Sequence, residues 1–315
     1  MEPLLLALRA CAEPTRLRLL ALAARGAFCV MEFTEILGQS QPRLSRHLRL
    51  LVEAGAMERM REGANVWFTL PPRPHLVHDL LGHVPATDPV LEGDRRQAAR
   101  VLAERARVAS DSFRNQGADW DEAHALALPV AAVEQAVLAA VGTAPGRLLD
   151  IGTGTGQLLA LLAPRVTRGL GVDASRAMLA LARSRLAKPE LAHCAVRQAD
   201  MYRLPLPDGA FDTAVLQMVL HYAEDPAAAV TEAARVLRPG GQLLIVDLHH
   251  HGRTDLLDRL AHRWPGFHDG TIRTLLEDAG LHPAEPVTVP GPLPVRLWPA
   301  TQPVVATASA LKELV

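Results

Sequence analysis

Apolar residues recur at intervals of three and four along the first part of the chain, which predicts amphipathic helices. The predicted helices cover residues 3–28 (two helices, broken near Glu13-Pro14), 30–38 and 41–54. In the last helix the positions at helical spacing that we expect to face the core are Leu44, Leu48, Leu51 and Val52. Residues 56–61 and 65–70 then alternate apolar and polar positions, which predicts a β-hairpin.

Prolines cluster between residues 71 and 90 and predict a boundary after this first segment. One short helix is predicted around residues 75–83, and a polar, arginine-rich helix over 93–115 is predicted to be a connecting arm or a dimer element. The predicted domains are 1–84, a linker with a covering segment over 85–130, a second domain over 131–300, and a tail over 301–315.

From residue 147 onward, apolar strand patterns alternate with helical patterns, which is typical of a parallel sheet wrapped by helices. Strands are predicted over residues 147–151, 168–172, 193–198, 212–216 and 242–247. Helices are predicted over residues 156–163, 175–187, 226–236 and 271–280, with a terminal hairpin over 284–298. The predicted fold class is α/β, with a helical and hairpin-containing domain in front.

Composition adds little to this organisation. The 315 residues carry a net charge of −1, and the first 75 hold ten arginines against seven acidic residues, a weak basic bias that permits DNA binding. No stretch of 18 apolar residues and no signal-peptide pattern appears, and the three cysteines show no paired spacing. We therefore expect a cytoplasmic protein without disulfides and without a membrane partner.

Four helices followed by a hairpin form the pattern of a winged helix-turn-helix, which lays one helix in the major groove of DNA. On the predicted helix over 41–54, the polar side chains opposite the leucines are left to meet DNA, and the hairpin adds two arginines. The predicted DNA-binding residues are Gln41, Arg43, Ser45, Arg46, Arg49, Arg59 and Arg61.

Three segments of this part resemble the ArsR/SmtB family of bacterial repressors. They are Cys11-Ala12-Glu13-Pro14-Thr15-Arg16-Leu17-Arg18-Leu19-Leu20, Ser40-Gln41-Pro42-Arg43-Leu44-Ser45-Arg46-His47-Leu48 and Leu51-Val52-Glu53-Ala54-Gly55. The resemblance covers residues 4–83. It implies a homodimer that binds double-stranded, pseudo-palindromic operator DNA, with much of residues 4–22 serving dimerisation.

One departure from the family and one group of polar residues concern metal binding. Arsenic-sensing members of that family carry Cys-x-Cys, where this chain has Cys29-Val30-Met31, and one thioether in place of a thiolate argues against soft-metal chelation. The boundary helix carries polar residues where other members bind zinc: His75, His78, Asp79 and His83. Their spacing favours solvated side chains and leaves a zinc site as the alternative. No metal site is predicted.

A glycine-rich turn follows the first strand of the second domain. The sequence Asp150-Ile151-Gly152-Thr153-Gly154-Thr155-Gly156 lets the backbone approach a ligand closely and offers amide donors to an anionic group. Its Gly-x-Gly-x-Gly spacing differs from the dinucleotide-binding Gly-x-Gly-x-x-Gly. The second strand ends at Asp173, 21 positions after Gly152, where an acidic side chain is suited to hold ribose hydroxyls.

Five blocks together, over roughly residues 111–300, resemble class I S-adenosylmethionine-dependent methyltransferases with a Rossmann-like fold. Beside the glycine turn and Gly171-Val172-Asp173, these blocks are Gln198-Ala199-Asp200-Met201, Asp208-Gly209-Ala210-Phe211-Asp212 and Arg238-Pro239-Gly240-Gly241. The resemblance implies a cofactor, S-adenosylmethionine or S-adenosylhomocysteine. The implied cofactor-binding residues are Asp150, Gly152, Thr153, Gly154, Gly156, Asp173, Ala174, Asp200, Met201, Gln217, Phe113 and Trp120, with Asp173 on ribose and Asp200 and Met201 on adenine.

Two hypotheses for function follow. The chain is either a transcriptional regulator that senses S-adenosylmethionine or S-adenosylhomocysteine, or a methyltransferase for a small-molecule acceptor. In the second case, the candidate catalytic residues after the fourth strand are Gln217, His221 and Tyr222. Methylation of nucleic acid is disfavoured, because the chain has Gln217-Met218-Val219-Leu220 in place of an Asn-Pro-Pro-Tyr-type block.

Overall fold

The computed structural model describes residues 2–62, 65–71, 75–85, 87–115, 126–253 and 262–304. The chain divides into two compact units. The first comprises residues 1–112, 154–160 and 175–198, and the second comprises residues 113–153, 161–174 and 199–315. No helix in the described ranges is long and apolar enough to cross a membrane.

The N-terminal part contains six helices among its described residues and one small sheet. The helices are α1 Glu2–Cys11, α2 Pro14–Ala23, α3 Val30–Leu37, α4 Gln41–Glu53, α5 Leu76–Gly82 and α6 Pro89–Asn115. The strands β1 Phe28–Cys29, β2 Glu58–Glu62 and β3 Asn65–Thr69 form an antiparallel sheet in the order β1-β3-β2. The predicted series of four helices and a hairpin is present, whereas α6 begins at Pro89, earlier than predicted, because proline fits the first turn of a helix.

The core of this part is built on the apolar stripe that the sequence predicts. Leu44, Leu48 and Leu51 of α4 are buried with Leu19 of α2 and Phe33 of α3. Gly38 ends α3 in the left-handed conformation, with φ of 64°, which suits a residue without Cβ. Ser40 occupies the N-cap position of α4, but its side chain accepts no capping hydrogen bond.

The remaining elements alternate as predicted from residue 146 onward. The strands are β4 Gly146–Ile151, β5 Val166–Asp173, β6 Cys194–Gln198, β7 Phe211–Gln217, β8 Leu237–Leu248, β9 His282–Pro283, β10 Val287–Val289 and β11 Val295–Thr301. The helices are α7 Val130–Val141, α8 Gln157–Leu162, α9 Arg176–Leu186, α10 Pro226–Arg235 and α11 Asp269–Asp278. Helix α7 was not among the predicted elements, because it precedes the first strand and lacks a distinctive cap.

The strands of the second unit have the order β10-β11-β8-β7-β4-β5. Neighbouring strands from β8 to β5 run parallel, and β11 pairs antiparallel with β8 along its whole length. The predicted terminal hairpin is therefore present as β10 and β11, but β11 extends to Thr301 because it is a full strand of the larger sheet. The structure is a mixed α/β fold with a Rossmann-like sheet.

Candidate cofactor site and nucleic-acid interface

The carboxyl ends of three central strands are level with one another. Ile151 of β4 pairs with Val172 of β5 and with Leu216 of β7. The residues that follow these positions, Gly152, Asp173 and Gln217, consequently lie along one edge of the sheet. Chain order reverses between β4 and β7, and such a switch point opens a crevice that typically binds a ligand in α/β sheets.

The glycine turn after β4 forms one wall of this crevice. The amides of Gly152 and Thr153 both donate to the Val172 carbonyl, at 2.8 and 2.9 Å, which fixes the start of the turn. Gly152 has φ of +74°, and a Cβ there would lie 2.4 Å from Cγ2 of Val219. Among the described residues, a Cβ on Gly154 would meet no atom within 4 Å. The turn thus has the close packing and the open face of a ligand cradle.

Asp150 lies beneath the turn with 2% of its surface exposed. Oγ1 of Thr153 donates to Oδ2 of Asp150 over 2.6 Å, so the carboxyl group positions the turn directly. Burial, with a smaller contribution from the negative charge of Asp173, raises the pKa of Asp150 to about 7 against the opposing effect of the Thr153 hydrogen bond. A cationic group bound nearby would favour the carboxylate form.

This pKa gives a testable dependence of stability on pH. Between about pH 4 and pH 7 the folded protein keeps a proton on Asp150 that the unfolded chain has released, so the contribution of this group to stability falls as pH rises. The full effect is at most about 4 kcal/mol. We expect Asp150→Asn to remove this pH dependence while keeping an acceptor for Thr153.

The measurement is urea unfolding of both proteins without cofactor, at about pH 5 and about pH 8. The free energy of unfolding of the Asp150→Asn variant, relative to that of the wild type, should be greater at the higher pH than at the lower one. A difference in unfolding free energy that does not change with pH would contradict the raised pKa.

The residues predicted for ribose and adenine lie close together. Asp173 ends β5 and is partly exposed, and its carbonyl accepts from the amide of Ala199 at 3.1 Å. That bond brings the following residues, Asp200 and Met201, beside the end of β5. Asp200 is exposed and accepts from the Tyr202 amide at 3.0 Å, which orients its carboxylate. Ala174 is exposed next to Asp173.

The loop after β7 carries two features that point to a binding role. Oε1 of Gln217 is covered and has no hydrogen-bond partner among the described residues. Met218, the next residue, has φ of 51°, a left-handed conformation that side chains rarely adopt and that is often found at functional sites. The sequence reveals the position of this loop but gives no sign of its backbone conformation.

His221 of the same loop is fully buried. Its Nδ1 lies 2.7 Å from Oδ1 of Asp247, which is also fully buried at the end of β8. Oδ2 of Asp247 accepts from the amides of Leu220 and His221, so this carboxylate holds the whole turn. The rings of Tyr222 and His262 lie 4.3 and 4.2 Å from that of His221.

Sequence reasoning missed Asp247 as a functional candidate. The available signal was an acidic residue at the end of an otherwise apolar strand, Leu243–Val246. The structure brings His221 and Tyr222 together with His262, and it places Gln217 at the end of β7. Trp120 lies outside the described residues, and only the helical backbone is described for Phe113.

The predicted DNA-binding side chains share one property, which is exposure to solvent. They are Gln41, Arg43, Ser45, Arg46 and Arg49 of α4 and Arg59 and Arg61 of β2. The opposite face of α4 carries Leu44, Leu48 and Leu51, of which at most 1% is exposed. Arg49 also lies 3.9 Å from Glu53, an exposed contact that contributes little energy. Helix α4 therefore presents a basic face on a rigid apolar base.

The polar residues of the boundary helix make local backbone contacts. Nδ1 of His75 accepts from the amide of Val77 and caps α5. Nε2 of His78 lies 2.8 Å from the Pro71 carbonyl, and Nδ1 of His83 lies 2.8 Å from the Asp79 carbonyl. Within the described ranges, no group of three histidine, cysteine or acidic residues is arranged to hold a metal ion.

These features define the class of the protein, which joins a winged helix-turn-helix to a Rossmann-like methyltransferase domain. Family models match both parts. The family described as "Bacterial regulatory protein, arsR family" matches residues 13–56, and the family described as "Methyltransferase domain" matches residues 149–245. The chain thus carries an ArsR-family helix-turn-helix segment ahead of a class I methyltransferase domain.

Curated relatives match only part of the chain. The uncharacterised methyltransferase YcgJ of Bacillus subtilis is 35% identical over 36% of this chain and 44% of its own length. The demethylmenaquinone methyltransferase of Thermus thermophilus is 39% identical over 36% of this chain and 52% of its own length. The chain spans about half the length of these relatives.

A solved structure supports the fold. The methyltransferase in a complex with the Haloferax volcanii Trm112 methyltransferase activator aligns with a TM-score of 0.53 and 20% identity, over 62% of this chain and 98% of that one. The family match supports S-adenosylmethionine as the cofactor. The open glycine turn, the buried Asp150 and the unsatisfied Gln217 oxygen fit such a polar, partly cationic ligand.

Proposed function

We propose that the protein is a DNA-binding transcriptional regulator, most simply a repressor, whose methyltransferase-like domain binds S-adenosylmethionine or S-adenosylhomocysteine as the signal. The observation that carries the proposal is the exposed basic face of α4 in a chain that also has a complete glycine cradle. A regulator of this kind would act in the cytoplasm.

In this proposal the crevice binds the cofactor along the carboxyl edge of the sheet. The turn over Gly152, Gly154 and Gly156 faces the amino-acid part of the ligand, and Asp150 supports the turn from below. The carboxylate of Asp173 accepts from the ribose hydroxyls, while Asp200 and Met201 meet the adenine. When bound, S-adenosylmethionine supplies an electrophilic methyl group, which S-adenosylhomocysteine lacks.

The basic face provides the DNA contact. Arginines such as Arg43 and Arg46 on α4 can hold guanine edges bidentately or neutralise phosphates, and Gln41 can pair with adenine. The hairpin of β2 and β3 corresponds to the wing. Arg59 and Arg61 lie on its strand β2 and are suited to contact the DNA backbone or the minor groove. Ligand binding would change DNA affinity if it favours one geometry of the regulator over another.

The direct test is DNA affinity measured with and without each ligand. Operator candidates can be selected from random duplexes with the purified full chain, and the Kd can then be measured alone, with S-adenosylmethionine and with S-adenosylhomocysteine. We expect one ligand to change the Kd by about 5-fold or more. Identical affinity in all three conditions would refute the sensing role.

We also propose that the protein is a homodimer, and helix α1 supports this. Four of its leucines are substantially exposed: Leu4 at 51%, Leu5 at 41%, Leu6 at 53% and Leu8 at 37%. A second copy would cover this apolar surface and would place two α4 helices on the two halves of a palindromic site.

Substitution of two of these leucines should break the dimer. We expect Leu5→Asp with Leu6→Asp to convert the protein from dimer to monomer, as measured by light scattering after size exclusion. Val287→Asp is the matched control, because Val287 is 47% exposed and lies far from α1 in the sequence. A double variant that stays dimeric would refute this interface.

An active small-molecule methyltransferase is the second candidate. The buried pair of His221 and Asp247 favours this function, because such a pair can take a proton from the molecule that is methylated. The pair packs against Tyr222 and His262. In that reaction a bond forms between the acceptor and the methyl carbon, the carbon–sulfur bond breaks, and the acceptor proton moves to a base. Release of S-adenosylhomocysteine during incubation with a metabolite extract tests it, and no release above the Asp247→Asn background would argue against it.

A further inference from the structure

Helix α9 is in contact with the glycine turn. Residues 154–156 of the turn and all of α9 belong to the first compact unit, which contains residues 154–160 and 175–198 together with the winged helix. Nη1 of Arg185 donates to the carbonyl and the hydroxyl of Thr155, and the carbonyl bond measures 3.0 Å. A Cβ on Gly156 would lie only 3.1 Å from Cβ of Ala182. Contacts this close leave little room for Thr155 to move without α9.

The same turn of α9 contacts the wing. The guanidinium carbon of Arg183 lies 4.0 Å from the ring centroid of Trp67 in β3. Only 5% of Arg183 and 6% of Trp67 are exposed, so this cation–π contact is shielded from water. A cation–π contact that is shielded from water is stronger than an exposed one.

Trp67 is placed to affect the DNA-binding strand. It pairs with Cys29 of β1 on one side and with Met60 of β2 on the other. Met60 lies between Arg59 and Arg61, the two exposed arginines of the wing. A movement of Trp67 would therefore shift β2 and both of its arginines through the hydrogen bonds between β3 and β2.

We propose that the contact between Arg183 and Trp67 transmits the occupancy of the glycine turn to the wing. This inference rests on the proposed regulatory function and names its internal route: Thr155 to Arg185, along one turn of α9, then Arg183 to Trp67 and β2. In this scheme the glycine turn and β2 each have two arrangements, one with the cofactor bound and one without it, as coupling between two sites requires. In this route Arg183 is a positioning residue, because it acts through its contact with Trp67.

Arg183→Met tests the route. The variant keeps an unbranched side chain of similar length and removes the planar cation. Arg176→Met at the exposed start of α9 is the matched control, since it removes the same charge outside the route. We expect the Kd for S-adenosylmethionine, measured by calorimetry, to change less than about 2-fold in both variants. The effect of the ligand on DNA affinity, about 5-fold or more in the wild type, should fall below about 2-fold in Arg183→Met alone.

A second readout does not depend on DNA. Protein labelled with 5-fluorotryptophan gives a fluorine resonance for Trp67, which Trp67→Phe assigns by its loss. Saturation with S-adenosylmethionine should shift this resonance in the wild type and in Arg176→Met, and should leave it in place in Arg183→Met. If Arg183→Met does not fold, Trp67→Phe replaces it in the DNA assay, where its weaker ring should reduce the coupling.

The two readouts separate the two proposals. A shifted Trp67 resonance with unchanged DNA affinity would support the route and refute the sensing function. No shift in the saturated wild type would overturn the route, and so would ligand-dependent DNA binding that persists in Arg183→Met.

Discussion

Gly152→Ala is expected to abolish cofactor binding. The new Cβ would lie 2.4 Å from Cγ2 of Val219, and the backbone φ of +74° is strained for alanine. The turn must therefore move away from the loop after β7, which would displace the turn from the position in which we propose that it binds the cofactor. A misplacement of about 1 Å can cost about 100-fold in the rate of a catalysed reaction, and we expect a loss of the same order in cofactor affinity. We expect the Kd for S-adenosylmethionine, measured by calorimetry, to rise at least that much.

Gly270→Ala is the matched control for this substitution. Gly270 lies in α11, it has an ordinary φ, and a Cβ there would meet no atom within 4 Å. Circular dichroism must show that both variants remain folded. Ligand at about 100 times the wild-type Kd should stabilise the wild type and Gly270→Ala by about 2.7 kcal/mol and should stabilise Gly152→Ala by at most about 0.4 kcal/mol. Wild-type affinity in Gly152→Ala would refute the placement of the cofactor on this turn.

Arg43→Ala together with Arg46→Ala is expected to abolish specific DNA binding. Both side chains are exposed on α4, opposite leucines that are buried, so their removal should leave the core intact. Each arginine that holds a base edge contributes about 1–3 kcal/mol. The double variant should therefore lose at least about 30-fold in affinity for the operator at fixed salt.

Salt dependence shows which kind of contact is lost. Loss of a phosphate contact lowers the slope of log K against log salt by about one, whereas loss of a base contact relaxes specificity. Arg273→Ala is the matched control, because Arg273 is exposed on α11, outside the family match for DNA binding. Wild-type operator affinity in the Arg43 and Arg46 double variant would exclude α4 as the recognition helix.

The buried pair of Asp247 and His221 bears on both candidate functions. As a proton acceptor the pair would act as the base in methyl transfer. As an anchor it fixes the conformation of the loop after β7, which carries Gln217 and Met218. The two hydrogen bonds from backbone amides to Oδ2 of Asp247 show that the anchoring role is built into the fold. Loss of cofactor affinity in Asp247→Asn would indicate the anchor, whereas loss of turnover alone would indicate the base.

Local sequence patterns were enough to predict the helices and strands and the polar face of α4. Periodicity assigns Leu44, Leu48 and Leu51 to the inside of α4 and leaves its arginines outside, because helix geometry alone fixes which positions share a face. The glycine turn is equally local, since its spacing and its place after an apolar strand are contained in consecutive residues. The comparisons with known families confirm both parts of the predicted fold.

Contacts between residues that are far apart in the chain follow from the folded structure. Asp247 and His221 are 26 positions apart, and Trp67 lies in a different predicted domain from Arg183. No local pattern encodes such a pair, because it depends on strand register and on how a helix packs. The antiparallel pairing of β11 with β8 and the left-handed backbone of Met218 were hidden for the same reason: each is imposed by neighbours far along the chain.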